Sequence, residues 1–219
     1  LETGVRRLGN LALMTGLFVT ANGLLDHLVF LPASSRSDAV RWVAIVLAAL
    51  SSFSVFALSR RRGVAPARLL DAGLLYEVFT AFLLGVAYHA VPAGGDLALR
   101  GWSPIAVWVV VFPLIVPSAR GKTLIASAAA GLMDPLGLAL NAARGHPVPG
   151  AAAIAQMLLP TAAAAVAGVV GAQIVYRLSA RAGLARDLGS YRLVAPLGHG
   201  GMGEVWRAEH RLLARTSAI

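Results

Sequence analysis

Leu69 to Val91 reads LLDAGLLYEVFTAFLLGVAYHAV, and this stretch decides the fold. It is long enough, at 1.5 Å of rise per residue, to extend ~34 Å as a helix and cross the ~30 Å hydrocarbon core of a bilayer. Five more apolar runs lie outward from it: Leu8 to about Leu31, Val40 to Leu58, Ser103 to Ser118, Thr123 to Ala143 and Ala151 to Tyr176. The fold class predicted is an all-α polytopic membrane bundle of about six transmembrane helices. Ser103–Ser118 is short and carries Pro104, Pro113 and Pro117, so whether it spans fully is left open. Arg6 and Arg7 ahead of the first run also fit the n-region of a signal peptide. The length of that run and the spans after it favour a membrane helix.

Composition agrees. Hydrophobic residues make up 58% of the 219, charged residues 13%, and mean hydropathy is +0.73. Soluble domains carry about 25% charged residues. Cysteine is absent, which excludes disulfides and thiolate metal sites. The net charge of +9 would suggest nucleic acid on a soluble protein. Here the cations sit in short loops between apolar runs, so the bilayer is the predicted partner and nucleic acid is not. With the N-terminus inside and six crossings, the inner segments hold 11 of the 19 Lys and Arg: Arg6, Arg7, Arg60, Arg61, Arg62, Arg68, Arg120, Lys122, Arg177, Arg181 and Arg186. The outer loops hold four: Arg36, Arg41, Arg100 and Arg144. Positive residues favour the cytoplasmic side, so both termini are predicted cytoplasmic, in a cell inner membrane.

Polar residues inside spans are expensive and are candidates for function. Asp26, Glu77 and Asp134 form the candidate intramembrane polar site, with Asn22, His27, Asp71 and His89 near them in sequence. Asp134 is nearest mid-span, and Pro135 after it removes a backbone donor. The alternative is that Glu77 and Asp134 hydrogen-bond neighbouring helices while Asp26, Asp71 and His89 lie at the interface. No metal site is predicted, two histidines in separate runs being thin support for one. Trp42, Trp102, Trp108 and Tyr176 are expected to anchor at the interfaces, and Pro160 to kink the last helix. Ala164, Gly168 and Ala172 recur every four residues, suiting close helix packing or a homodimer.

Residues 177–189 form a basic link that either prolongs the last helix or lies on the inner leaflet. A different texture then begins. Leu197-Gly198-His199-Gly200-Gly201-Met202-Gly203-Glu204-Val205 reads G-x-G-x-x-G-x-V, between strand candidates Tyr191–Val194 and Val205–Ala208. Glycines at this spacing let a turn bring backbone N–H groups close to a phosphate chain.

Residues 190–219 resemble the start of a bacterial serine/threonine protein kinase of the eukaryotic-like type. Ser217-Ala218-Ile219 stands where that family's third strand, V-A-I-K, begins; its lysine would come next. The resemblance implies a truncated, small β N-lobe fragment after the membrane region 1–176. It implies ATP contacts at Leu197, Gly198, His199, Gly200, Gly201, Met202, Gly203, Val205 and Ala218. It also implies ATP and Mg²⁺ as cofactors of the full-length kinase, and protein substrates held by the missing lobe. The chain is read as a fragment cut at both ends. Without the lysine, the αC glutamate, the catalytic-loop aspartate and the metal-binding aspartate it is expected to have no catalytic residues and no phosphotransferase activity. Its tail is expected to be poorly ordered and to bind no nucleotide tightly. The competing reading is a non-enzymatic polytopic protein, a small transporter or ligand sensor, with a coincidental glycine-rich tail.

Overall fold

The structure is a computed structural model. It describes residues 2–30, 38–61, 63–90, 103–116, 118–185, 187–188, 191–200, 203–210, 212–213 and 215–219. Gly201, Met202, Arg36, Arg62, Arg100, Trp102 and Arg186 lie outside the described residues, as do the side chains of Tyr176 and Arg181.

Six helices precede a small antiparallel sheet. They are α1 (Glu2–Leu25, continued by a π-turn Asp26–Phe30), α2 (Ala39–Arg60), α3 (Pro66–His89), α4 (Pro104–Ile115), α5 (Arg120–Ala143) and α6 (Ala151–Ala185). All but α4 are long and apolar enough to cross a membrane, and the chain is a multi-pass membrane protein. The chain divides into two compact units, Leu1–Gln173 and Ile174–Ile219.

Local chemistry sets the helix starts. Asp38 caps α2, its carboxylate accepting from the N–H groups of Val40 and Arg41 at 2.9 and 3.1 Å. Proline opens α3 at Pro66 and α4 at Pro104, where its missing N–H costs nothing. Ser103 caps α4 through Ile105 N–H. Val116 is extended, as the residue before a proline must be, and this ends α4 after 12 residues.

The helices pack in an order their side chains reveal. Asn10 of α1 accepts from Arg60 at the far end of α2, while Asp26 pairs with Arg41 at its start, so α1 and α2 are antiparallel. Asp38 pairs with Arg144, which follows α5. Lys122 at the start of α5 meets Asp71 at the start of α3, so α3 and α5 run parallel. α4 descends between them: Ile105 lies by Gly85, and Trp108 and Phe112 lie against Tyr76. Arg120 donates to Gln173 near the far end of α6. One end of the bundle therefore carries Asn10, Arg60, Asp71, Lys122 and Gln173. The other carries Asp26, Asp38, Arg41 and Arg144.

The core is built around the short helix. Ile105, Val109 and Phe112 of α4 are fully buried with Leu8 and Ala12 of α1. The outer faces are apolar and exposed, as at Phe18, Leu50, Leu75, Ile125 and Leu159, which is the pattern of helices solvated by lipid. Close approach is bought with glycine. A Cβ on Gly137 of α5 would sit 2.5 Å from the carbonyl carbon of Gly85 on α3. Gly168 of α6 abuts the backbone of Val109, and Gly171 the side chain of Leu114. The small-residue face of α6 is thus used within the bundle, with Ala164 and Gly168 both buried.

In the second unit, α6 continues as helix to Ala185, the first of the two courses open to the basic link. The sheet order is β1 (Asp187–Leu188), β2 (Tyr191–Gly200), β3 (Gly203–His210) and β4 (Thr216–Ala218), each antiparallel to the next. The described strands of the tail form a paired ladder with irregularities between Leu193 and Ala195 and between Pro196 and Gly198. Cross-strand pairing from Tyr191↔His210 to Gly200↔Gly203, an edge-on Tyr191–His210 ring contact and the burial of Ala208 account for it. The faces remain bare, with Val194, Leu197, Val205 and Ile219 exposed.

Candidate functional site

The α3–α5 interface carries a buried polar seam. Ser127, Asp134 and Asn141 recur every seven residues along α5 and so share one face. Opposite them α3 presents Glu77 and His89. Glu77, Thr80, Ser127 and Asp134 are fully buried. A central charged residue costs roughly 2.5–3.5 kcal/mol on insertion scales, so each of these groups has to be explained by its partners.

Asp134 is fully partnered. Its Oδ1 meets Nε2 of His89 at 2.9 Å, and its Oδ2 accepts from the Thr161 hydroxyl at 2.8 Å. The carboxyl therefore ties α3, α5 and α6 together. Asn141 extends the tie one level on, donating to the carbonyls of Val86 and Gly137 at 3.2 and 3.0 Å. The helix runs unbroken through Pro135.

Glu77 is different. Ser127 donates to its Oε1 at 3.0 Å, but its Oε2 has no hydrogen-bond partner among the described residues. No salt bridge among the described residues involves it. Its backbone carbonyl accepts from the Trp108 indole at 2.9 Å. Trp108 was expected at an interface. It is buried instead, because its ring packs edge-on to Tyr76 and its N–H has this carbonyl to bond. Tyr76 turns toward α2, its hydroxyl 2.8 Å from Ser52.

Asp26 is not part of the seam. It lies at the end of α1 and pairs with Arg41 at 2.9 Å, so the structure joins Glu77 and Asp134 through one interface and leaves Asp26 out. Asp71 is exposed with Lys122. Among the described residues no group of three or more His, Asp and Glu is placed to hold a metal. Outside the spans, burial works to raise the Asp38 carboxyl. The Arg41 N–H and the Arg144 guanidinium outweigh it and hold the group below its ordinary value. Thr80, Ser127, Asn141 and Thr161 were not singled out from the sequence; the seven-residue spacing on α5 was the available signal.

The second candidate site is the glycine hairpin. Gly198 pairs with Val205, His199 with Glu204 and Gly200 with Gly203 across the ends of β2 and β3. Gly203 has φ +134°, a conformation that a side chain would strain. A Cβ on Gly198 or Gly203 would meet nothing within 4 Å, so the backbone there is open to approach. Ala218 pairs with Arg207, and side chains alternate along a strand, so Ala218 lies on the Arg207 face, which is also that of Val205. Leu197 is the extra residue at the irregularity between Pro196 and Gly198. His199 is exposed.

No family model, no curated protein and no solved structure matches the chain.

Proposed function

We propose that the chain is the membrane region and first strands of a transmembrane serine/threonine protein kinase, an enzyme that transfers the ATP γ-phosphoryl group to protein Ser or Thr. The observation that carries this reading is the three-stranded meander. Gly198, Gly200 and Gly203 cluster where β2 and β3 meet, and β4 follows with Ala218 on the face of Val205. The open backbone at Gly198 and Gly203 fits an approaching phosphate chain. ATP would supply the phosphoryl group. Backbone N–H groups of the hairpin would orient it, and Leu197, Val205 and Ala218 would offer apolar contact to its base. In such an enzyme the catalytic residues and the Mg²⁺ ligands would come from elements after the third strand.

Orientation supports the same reading. The bundle end bearing Arg60, Lys122 and Gln173 is the end rich in cations, and positive loops stay in the cytoplasm. The chain leaves the first unit at Gln173, so its tail would emerge where ATP is. The bundle would anchor the enzyme, sense a stimulus, or bring two copies together.

Two measurements test this. A reporter fused after Glu204 should report the cytoplasm, and a periplasmic signal would overturn the reading. The longer reading frame should transfer the γ-phosphoryl of ATP to protein, and a stop codon directly after Ile219 would overturn it too. In that event a sensor or transporter without a catalytic domain becomes the better account, favoured by the unmet oxygen of Glu77.

A further inference from the structure

The two buried carboxyls of the seam are built differently, and the difference assigns them different roles. Asp134 has a partner on each oxygen, from His89 and from Thr161, and acts as a structural tie. Glu77 is equally buried, yet among the described residues one oxygen is unmet and one bond, from Ser127, is all its side chain receives. Native interiors rarely leave such a group unsatisfied without a reason in an ion, a water or a function. Glu77 also lies near the middle of α3, far from either end where water could reach it.

The cations that might neutralise it are engaged or distant. Lys122 of α5 pairs with Asp71, and Arg41 of α2 pairs with Asp26. Arg60 of α2 reaches Asn10, and Arg6 and Arg7 of α1 are exposed. On α3 itself His89 is held by Asp134, and Tyr76 turns to Ser52. From α4 the neighbours are Trp108 and Phe112, neither of them charged. The oxygens brought together here among the described residues are those of Glu77 and Ser127, fewer than the six or more that hard divalent cations collect. A proton needs a single acceptor.

We propose that Glu77 is a proton-binding site in the membrane interior, with Ser127 as its hydrogen-bonding neighbour. The proton resides on Oε2, removes the buried charge and turns the unmet acceptor into a donor. Loading and unloading this proton would alter the α3–α5 contact, the interface that Asp134 ties at its other end. This inference concerns the first unit and stands apart from the kinase reading, because its test reads no nucleotide and no phosphorylation.

The test uses the full chain in liposomes and dicyclohexylcarbodiimide, an apolar reagent that adds to carboxyls only in their protonated form. Adducts are located by peptide mass spectrometry. Glu77 should be labelled at least tenfold more than Asp134 or Asp26, and its labelling should fall as the pH is raised. The Glu77→Gln variant, which keeps the neutral shape, should fold and lose the adduct. The wild-type pH series stands alone should that variant fail to fold. An unlabelled Glu77 in monodisperse protein overturns the proposal. So does labelling that ignores pH. Labelling suppressed by sodium chloride at fixed pH also overturns it, and would assign the site to a metal cation.

Discussion

Replacing Gly137 by alanine tests the packing on which the seam depends. The added Cβ would stand 2.5 Å from the Gly85 carbonyl carbon and 2.8 Å from its oxygen, against 3.4–4 Å for ordinary contact. Both are backbone atoms of a helix, so no side chain can turn away. The α3 and α5 axes must part locally by about 1 Å, an overpacking that typically costs about 1–3 kcal/mol. The same movement stretches His89–Asp134 from 2.9 Å and Asn141–Val86 from 3.2 Å, beyond useful hydrogen-bond length. Interhelical bonds in membranes average ~0.6 kcal/mol each, so the expected loss is about 2–4 kcal/mol. Gly121 is the control. It lies on the same helix, and a Cβ there would meet nothing within 4 Å. Gly121→Ala should be neutral or stabilising by up to ~1 kcal/mol, the ordinary effect of alanine in a helix. The assay is unfolding of purified protein in mild-detergent micelles by added sodium dodecyl sulfate, followed by tryptophan fluorescence. Equal midpoints for Gly137→Ala and Gly121→Ala would refute the argument, since only the first site is crowded.

Other outcomes are expected on the same logic. Asp134→Ala leaves His89 and Thr161 without their partner and should lower stability by about 2 kcal/mol, while Asp134→Asn, which can still accept and donate, should cost less than half of that in the same unfolding assay. The Asp38 carboxyl is held below its ordinary value of 3.8, so its contribution is complete above about pH 4 and is lost as pH falls through the lower folded-state value. Asp38→Asn keeps the helix cap but not the Arg144 pair. It should cost up to about 1 kcal/mol at neutral pH and flatten the acid limb of the stability profile; an unchanged acid limb would count against the pairing. In the sheet, Gly203→Val forces a branched side chain into φ +134°, at a cost on the order of 1–3 kcal/mol. Hydrogen exchange at the Trp206 and Ile219 amides, which bond each other's carbonyls, should quicken about tenfold or more, whereas Gly198→Ala should leave it unchanged.

What the sequence made legible was whatever acts along the chain. Length and hydropathy of the runs found the long helices, and Asp38, Pro66 and Ser103-Pro104 mark their starts through local capping chemistry. The glycine spacing lies where β2 and β3 meet, with Gly200 paired to Gly203. What stayed hidden acts between helices. Trp108 looked like an interfacial anchor because an indole with one polar edge usually sits there; it is buried because Glu77 offers a backbone carbonyl inside. Ser127, Thr161 and Asn141 are ordinary helix residues until the pairing of α5 with α3 and α6 is known. Asp26, Glu77 and Asp134 looked like one set, being the costly residues. Only the arrangement separates a terminal ion pair at Asp26 from a saturated tie at Asp134 and a half-met carboxyl at Glu77.

The short helix α4 follows from that arrangement. Lys122–Asp71 at one level and His89–Asp134 at another make α3 and α5 parallel. Two consecutive long spans can be parallel only when the chain between them returns through the bundle. The return falls to a helix of 12 residues, ~18 Å long, which is too short to cross ~30 Å of hydrocarbon by itself. It is surrounded by protein instead. Ile105, Ala106, Val109 and Phe112 are buried on neighbouring helices, and Ser103 satisfies its first turn. A lipid-facing helix must match the membrane; a helix enclosed by protein need only reach backbone partners at each end. The parallel course of α3 and α5 thus goes with α4 being enclosed, and Arg120 at the start of α5 meets Gln173 at the same end of the bundle as Lys122.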